Sequence, residues 1–106
     1  MGKQAPVFAA LGDETRLKLL AKLSGGSRLS IKHLAADSAL TRQAITKHLG
    51  VLEVAGLVRG VRHGRENLFE LNPQTIDQAR RALDEISRQW DDALARLKTF
   101  VEINED

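Results

Sequence analysis

The side chains best suited to chemistry stand in two short clusters, Arg42-Gln43-Ala44-Ile45-Thr46-Lys47-His48 and Arg62-His63-Gly64-Arg65. Arginine forks onto guanine O6 and N7, glutamine pairs in the same bidentate way with adenine, and threonine offers a base edge its hydroxyl or its methyl. Arg42, Gln43 and Thr46 therefore suit base reading, with Thr41 at the head of the same segment, while Lys47 and His48 suit phosphate equally well. The second cluster is a basic tip around a glycine, able to lie along a nucleic-acid backbone or reach a minor groove through Arg62 and Arg65. Such a tip in isolation is as often a solvated turn; its place just after the first cluster favours the binding reading.

Other chemistries lack their residues. With no cysteine in the chain, disulfides, thiolate metal sites and cysteine nucleophiles are excluded. There is no G-x-S-x-G, no phosphate-binding glycine loop and no H-E-x-x-H, and Asp91-Asp92 reads as helix surface, so no enzyme and no cofactor is expected. His33, His48 and His63 are a ligand set that zinc accepts, but they lie on three separate elements without a ligand-spaced pair, and no metal is expected. A histidine whose titration tunes nucleic-acid affinity is the better use for one of them.

The elements that must carry these clusters can be read from caps and periodicity. Pro6 to Leu11 forms a short packed arm, and Asp13 caps a helix over about 13–24 whose apolar side is Leu17, Leu20, Ala21 and Leu23, stopped by Gly25-Gly26. Ser30 caps a short helix to about Asp37 with Ile31, Leu34 and Ala35 inward, and Ser38-Ala39-Leu40 makes a tight turn. Thr41 caps the next helix, which Ala44, Ile45, Leu49, Leu52 and Val54 would anchor until Gly56 ends it after about fifteen residues. Leu57 to Leu71 then reads as a hairpin with Gly64 in its turn.

Asn72 caps, and Pro73 starts, a helix that nothing interrupts. Along it Ile76, Ala79, Leu83, Ile86, Trp90, Ala93, Leu97 and Val101 recur every three or four residues between charges, a seam longer than one small core can cover. The expected fold is mainly α with a small β-hairpin, one winged helix-turn-helix domain over 1–106. Its parts are a helix-turn-helix over 30–55, a wing over 56–72 and a dimerisation helix over 73–103. At an a/d position Trp90 is more often interface packing than the wall of a ligand pocket.

Charge divides along the same line. Residues 1–72 hold eleven Lys or Arg against six Asp or Glu, net +5, whereas 73–106 hold five against eight, net −3. The basic part should face a polyanion and the acidic part should do something else. The opening stretch resembles neither a signal peptide nor a membrane span, so a cytoplasmic protein without membrane attachment is expected.

Three blocks in order resemble the ArsR family of bacterial winged-helix repressors. Phe8-Ala9-Ala10-Leu11-Gly12-Asp13-Glu14-Thr15-Arg16-Leu17 is similar to the family's AL-x-D-x-TR entry to its second helix, and Leu40 to Leu52, with His48-Leu49 and Leu52, resembles its recognition helix. Ala55-Gly56-Leu57-Val58 and His63-Gly64-Arg65 look like the entry to the wing and its tip. The resemblance implies a homodimer joined by its terminal helices, here Phe8 on the arm and Leu83, Ile86, Trp90, Leu94 and Leu97 on the last helix. It also implies repression of a double-stranded operator until a small-molecule effector, unknown here, weakens binding. Where metal-sensing relatives carry Cys-x-Cys this chain has Ser30-Ile31-Lys32-His33-Leu34, and its last helix has no histidine. Residues 90–102 resemble the tail of a non-metal-sensing branch.

Two rivals share this pattern: a winged helix that binds protein, and an architectural protein that binds DNA without sequence preference. The basic, aromatic-free face of 42–47 weighs against the first, and its mixture of Arg, Gln and Thr weighs against the second.

Overall fold

The computed structural model describes residues 4–103. In chain order the elements are α1 (Ala5–Leu11), α2 (Glu14–Leu23), β1 (Leu29–Ser30), α3 (Ile31–Ala35), α4 (Arg42–Val54), β2 (Val58–His63), β3 (Glu66–Leu71) and α5 (Pro73–Ile103). The polar caps act as the sequence predicts. Asp13 accepts a hydrogen bond from the Arg16 amide, Ser30 from His33 and Thr41 from Ala44, so each helix begins with an otherwise orphaned donor satisfied. Asn72 does the same for α5, accepting from the Gln74 amide at 3.2 Å.

Val7 and Ala10 of α1, Leu19 and Leu23 of α2, Leu34 of α3 and Ile45, Leu49 and Leu52 of α4 meet Leu57, Val58 and Ala79 in one buried core. Three sequence expectations are corrected by the structure. The buried side of α2 is Leu19 and Leu23, while Leu17 is 50% exposed. Both candidate stripes are apolar, and the choice falls to where α1 and α4 sit, which the helix's own periodicity does not encode. Val54, expected to anchor α4, is 91% exposed because it lies about half a turn from the Ile45–Leu49–Leu52 row. The first helix of the pair also stops at Ala35 rather than Asp37.

The hairpin is joined by a third strand that the sequence reading did not foresee. The sheet order is β1-β3-β2, all antiparallel, with Leu29 opposite Phe69 and Gly60 opposite Phe69 on the other side. Gly64-Arg65 forms a two-residue loop between His63 and Glu66. Gly64 has φ +63° and Arg65 does not have positive φ, which excludes a I′ turn and fits a II′ turn with glycine first.

From this body α5 runs out over 31 residues, ~46 Å at helical rise. Only Ala79 of α5 is buried. The described chain measures 72 × 27 × 23 Å with a radius of gyration of 19.2 Å, whereas a compact chain of this length has about 13 Å. No described helix is long and apolar enough to cross a membrane.

Candidate nucleic-acid interface

The core fixes which side of α4 is free. With Ile45, Leu49 and Leu52 inward, a 100° step per residue turns Gln43, Thr46 and Lys47 outward, and Arg42 stands exposed in the first turn. Thr41 is exposed too, its hydroxyl oxygen occupied by the Ala44 amide at 3.1 Å. The Thr46 hydroxyl donates to the Arg42 carbonyl at 2.8 Å, which fixes its rotamer and leaves its methyl and an oxygen lone pair outward.

His48 departs from the expected set. It lies on the flank of α4 against α2, three-quarters covered, with Nδ1 3.8 Å from Asp13 Oδ2. The sequence makes it a phosphate candidate beside Lys47; its place in the helical turn instead points it to the cap of α2, so the exposed row is Arg42, Gln43, Thr46 and Lys47. The Arg16 amide, and then the charges of Arg16 and His48, hold the Asp13 carboxyl below its ordinary range.

The wing carries Arg62 at the end of β2 and Arg65 in the turn, both exposed. At the base of the sheet Glu70, on the central strand, is clamped by Arg59 at 2.8 Å and Arg28 at 2.9 Å, with its own side chain only 17% exposed. The Arg59 and then the Arg28 hydrogen bonds lower its carboxyl below the usual glutamate range. This bridge ties β3 to β2 and to the residue just before β1, and it has no partner signal in the local sequence. An acid between Phe69 and Leu71 in a half-buried strand was the available signal.

These pairings sort the cations. Arg28 and Arg59 belong to Glu70, Arg16 donates to the carbonyls of Ala9 and Ala10, and Lys22 donates to that of Leu34. Arg80, Arg81, Arg88 and Lys98 each face a carboxylate on α5. Among the described residues the Lys and Arg side chains without a partner in the chain are Lys32, Arg42, Lys47, Arg62, Arg65 and Arg96. Four of the six are residues singled out from the sequence, on α4 and the wing. Cations left without an internal carboxylate are free to neutralise phosphates, and a polyanion gains most from them by release of its counterions.

The remaining candidates are placed apart from this face. Phe8 packs partly against its own core. Leu83, Trp90, Leu94 and Leu97 form an exposed apolar row on α5 with Ile86 half-buried among them, and Phe100 and Val101 extend it. His33 Nδ1 meets Ser30 Oγ at 2.9 Å and His63 ends β2. Among the described residues no three His, Cys, Asp or Glu side chains come together as a metal site.

Comparison with known proteins gives a family-model match to "bacterial regulatory protein, arsR family" over residues 13–59. The chain is 40% identical over 81 residues to an HTH-type transcriptional regulator, YuzN, of Bacillus subtilis, covering 71% of this chain and 88% of that one. It superposes on an ArsR-like transcriptional regulator from Rhodococcus sp. RHA1 with TM-score 0.81 and 39% identity, covering 93% and 92% of the two chains. A homodimeric winged helix-turn-helix DNA-binding domain, Mb0332 of Mycobacterium bovis, shares the fold at TM-score 0.64 and 20% identity over 90% and 84%.

Proposed function

We propose, for a chain that belongs to the ArsR family of bacterial regulatory proteins, a homodimeric cytoplasmic repressor that reads an inverted-repeat operator. Arg42, Gln43 and Thr46 of α4 read base edges in the major groove, with Thr41 and Lys47 on adjoining phosphates. Arg62 and Arg65 of the wing contact the flanking backbone or minor groove. The observation that carries this reading is the coincidence of the outward face of α4 with the unpartnered cations of α4 and the wing.

Dimerisation follows from α5. An apolar row of Leu83, Trp90, Leu94 and Leu97 left in water gains nothing from the hydrophobic effect until something covers it, and a second copy can do so along a two-fold axis. The homodimeric state of the Mycobacterium bovis domain of the same fold supports this choice. A two-fold dimer sets its recognition helices about 34 Å apart, on successive major grooves. No step of this function needs catalysis, a metal or a cofactor.

Selection of tight binders from a pool of random duplexes tests the proposal. Recovered sequences should hold two inverted half-sites spaced by about one helical turn. Recovery of single half-sites would refute the dimeric reading, and recovery without any common sequence would leave an architectural DNA binder.

A further inference from the structure

We infer that Glu53 is a positioning residue for DNA binding, a strut that holds the wing at a fixed distance from the recognition helix. The Gly60 backbone N–H on β2 donates to Glu53 Oε2 at 3.2 Å. Among the described residues this is the side-chain hydrogen bond that joins α4 to the wing. The inference rests on the DNA-binding reading of that face and adds a residue to it.

The topology explains why the bond can form. β2 is an edge strand, with β3 on one side and no strand among the described residues on the other. In a hairpin closed by a two-residue loop, hydrogen-bonded and open pairs alternate from the turn, which makes Gly60↔Phe69 an open pair. The Gly60 amide therefore points out of the sheet as an unmet edge donor. Glu53, in the last turn of α4, meets it. Gly60 has no side chain to obstruct the approach, and a Cβ there would lie 3.3 Å from Glu53 Oε2.

The wing needs such a support. Its base is anchored by the buried Val58, but Arg59, Gly60, Arg62, His63, Gly64, Arg65, Glu66 and Asn67 are exposed, and an isolated two-stranded hairpin is marginal in water. Glu53 braces it two residues beyond the anchor, on the way to Arg62 and Arg65. This also accounts for an acid on a polyanion-facing helix: Glu53 is the one carboxylate of α4.

The test turns on a sign. If Glu53 were only a surface charge, its removal would strengthen DNA binding, since a negative group facing phosphate is repulsive. The strut requires the opposite for Glu53→Ala: a loss of about tenfold in affinity, with the contribution of Arg65 shrinking in the same background. Glu53→Gln, whose amide oxygen still accepts from Gly60 and whose charge is gone, should bind at least as tightly as the parent. Gly60→Ala should weaken binding in the parent and add nothing in Glu53→Ala.

Amide hydrogen exchange of the free protein gives a reading independent of DNA. Gly60 should exchange faster in Glu53→Ala than in the parent or Glu53→Gln. Equal exchange in all three, or tighter DNA binding by Glu53→Ala, would overturn the strut. Failure of the parent to bind any duplex would instead refute the DNA-binding reading, and Gly60 exchange would still judge the hydrogen bond.

Discussion

Leu49 and Leu52 of α4 are sealed inside the body, whereas Leu83, Leu94 and Leu97 of α5, the same residue type at helical spacing, are each more than half exposed. The α4 row has a cover made by its own chain: α2, α3, Leu57 and Val58 at the start of β2 close over it. The α5 row has none beyond Ala79. Apolar periodicity states that a helix has a face to bury and is silent on which molecule buries it. The two faces also carry opposite electrostatic habits. Four of the five basic side chains on α5, all but Arg96, pair with acids three or four residues away, while Arg42 and Lys47 on α4 and Arg62 and Arg65 towards the wing tip stay unpaired. The last helix pairs most of its cations with its own acids, and α4 with the wing tip keeps its cations for a partner.

The sharpest way to break that contrast is to charge the open face. Ile86→Glu with Leu97→Glu puts two carboxylates per chain into the seam, each costly to desolvate without an opposite charge. Sedimentation should show monomers that retain the winged body, and operator affinity should fall about 10³-fold or more, to the level of nonspecific binding. A double variant that stays dimeric and binds normally would place the interface elsewhere.

Single truncations then compare the two rows directly. Leu52→Ala should cost about 2–5 kcal/mol of folding stability because it empties a closed core. Leu97→Ala should shift the monomer–dimer equilibrium while leaving the thermal unfolding of a diluted monomer nearly unchanged. Equal destabilisation of monomer by both would mean that α5 folds back on its own chain.

Within the cationic half, α4 and the wing should separate. Gln43→Ala or Thr46→Ala should cost about 1–3 kcal/mol on operator and little on scrambled duplex. Arg65→Ala should weaken both alike and flatten the log–log salt dependence by about one unit. Anisotropy titrations on the two duplexes measure both effects, and equal losses from Gln43→Ala on both would remove base reading from that residue.

The smallest effect belongs to the bridge that steadies the sheet. Arg59 and Arg28 lower the Glu70 pKa, so the folded state binds this proton less readily than the unfolded chain does. Its stabilisation is present above the ordinary glutamate value of 4.5 and is lost as pH falls through the lowered folded value. Glu70→Gln should therefore flatten the acid limb of stability against pH below about 4.5, measured by urea unfolding, and leave its shape near neutrality unchanged. An unaltered acid limb would show that the bridge is screened in solution.

What could be read from the sequence was what is local. Asp13, Ser30, Thr41 and Asn72 cap the helices they head, and Gly64 sits in the hairpin turn, because capping and turn geometry are settled within a few residues. Thr46 and Lys47 could be placed outward because Ile45, Leu49 and Leu52 marked the opposite side unambiguously. The failures needed a second element. Leu17 against Leu19 depended on where α1 lies, β1 on the reach of Leu29 to Phe69, and His48 on the cap of the neighbouring helix. The Glu53–Gly60 bond depends on the open edge of β2 and has no local signature at all.

The central claim is that the cation-bearing face of α4 and the wing recognises a particular DNA sequence. Salt-titrated binding of the intact protein to the duplex upstream of its own gene, against a scrambled duplex of equal length and composition, tests it most directly. The expected result is a preference of at least about 10³-fold for the upstream duplex that persists as salt rises, with both affinities falling along steep log–log lines. Equal affinity for the two duplexes at every salt concentration, or binding that does not respond to salt, would contradict it.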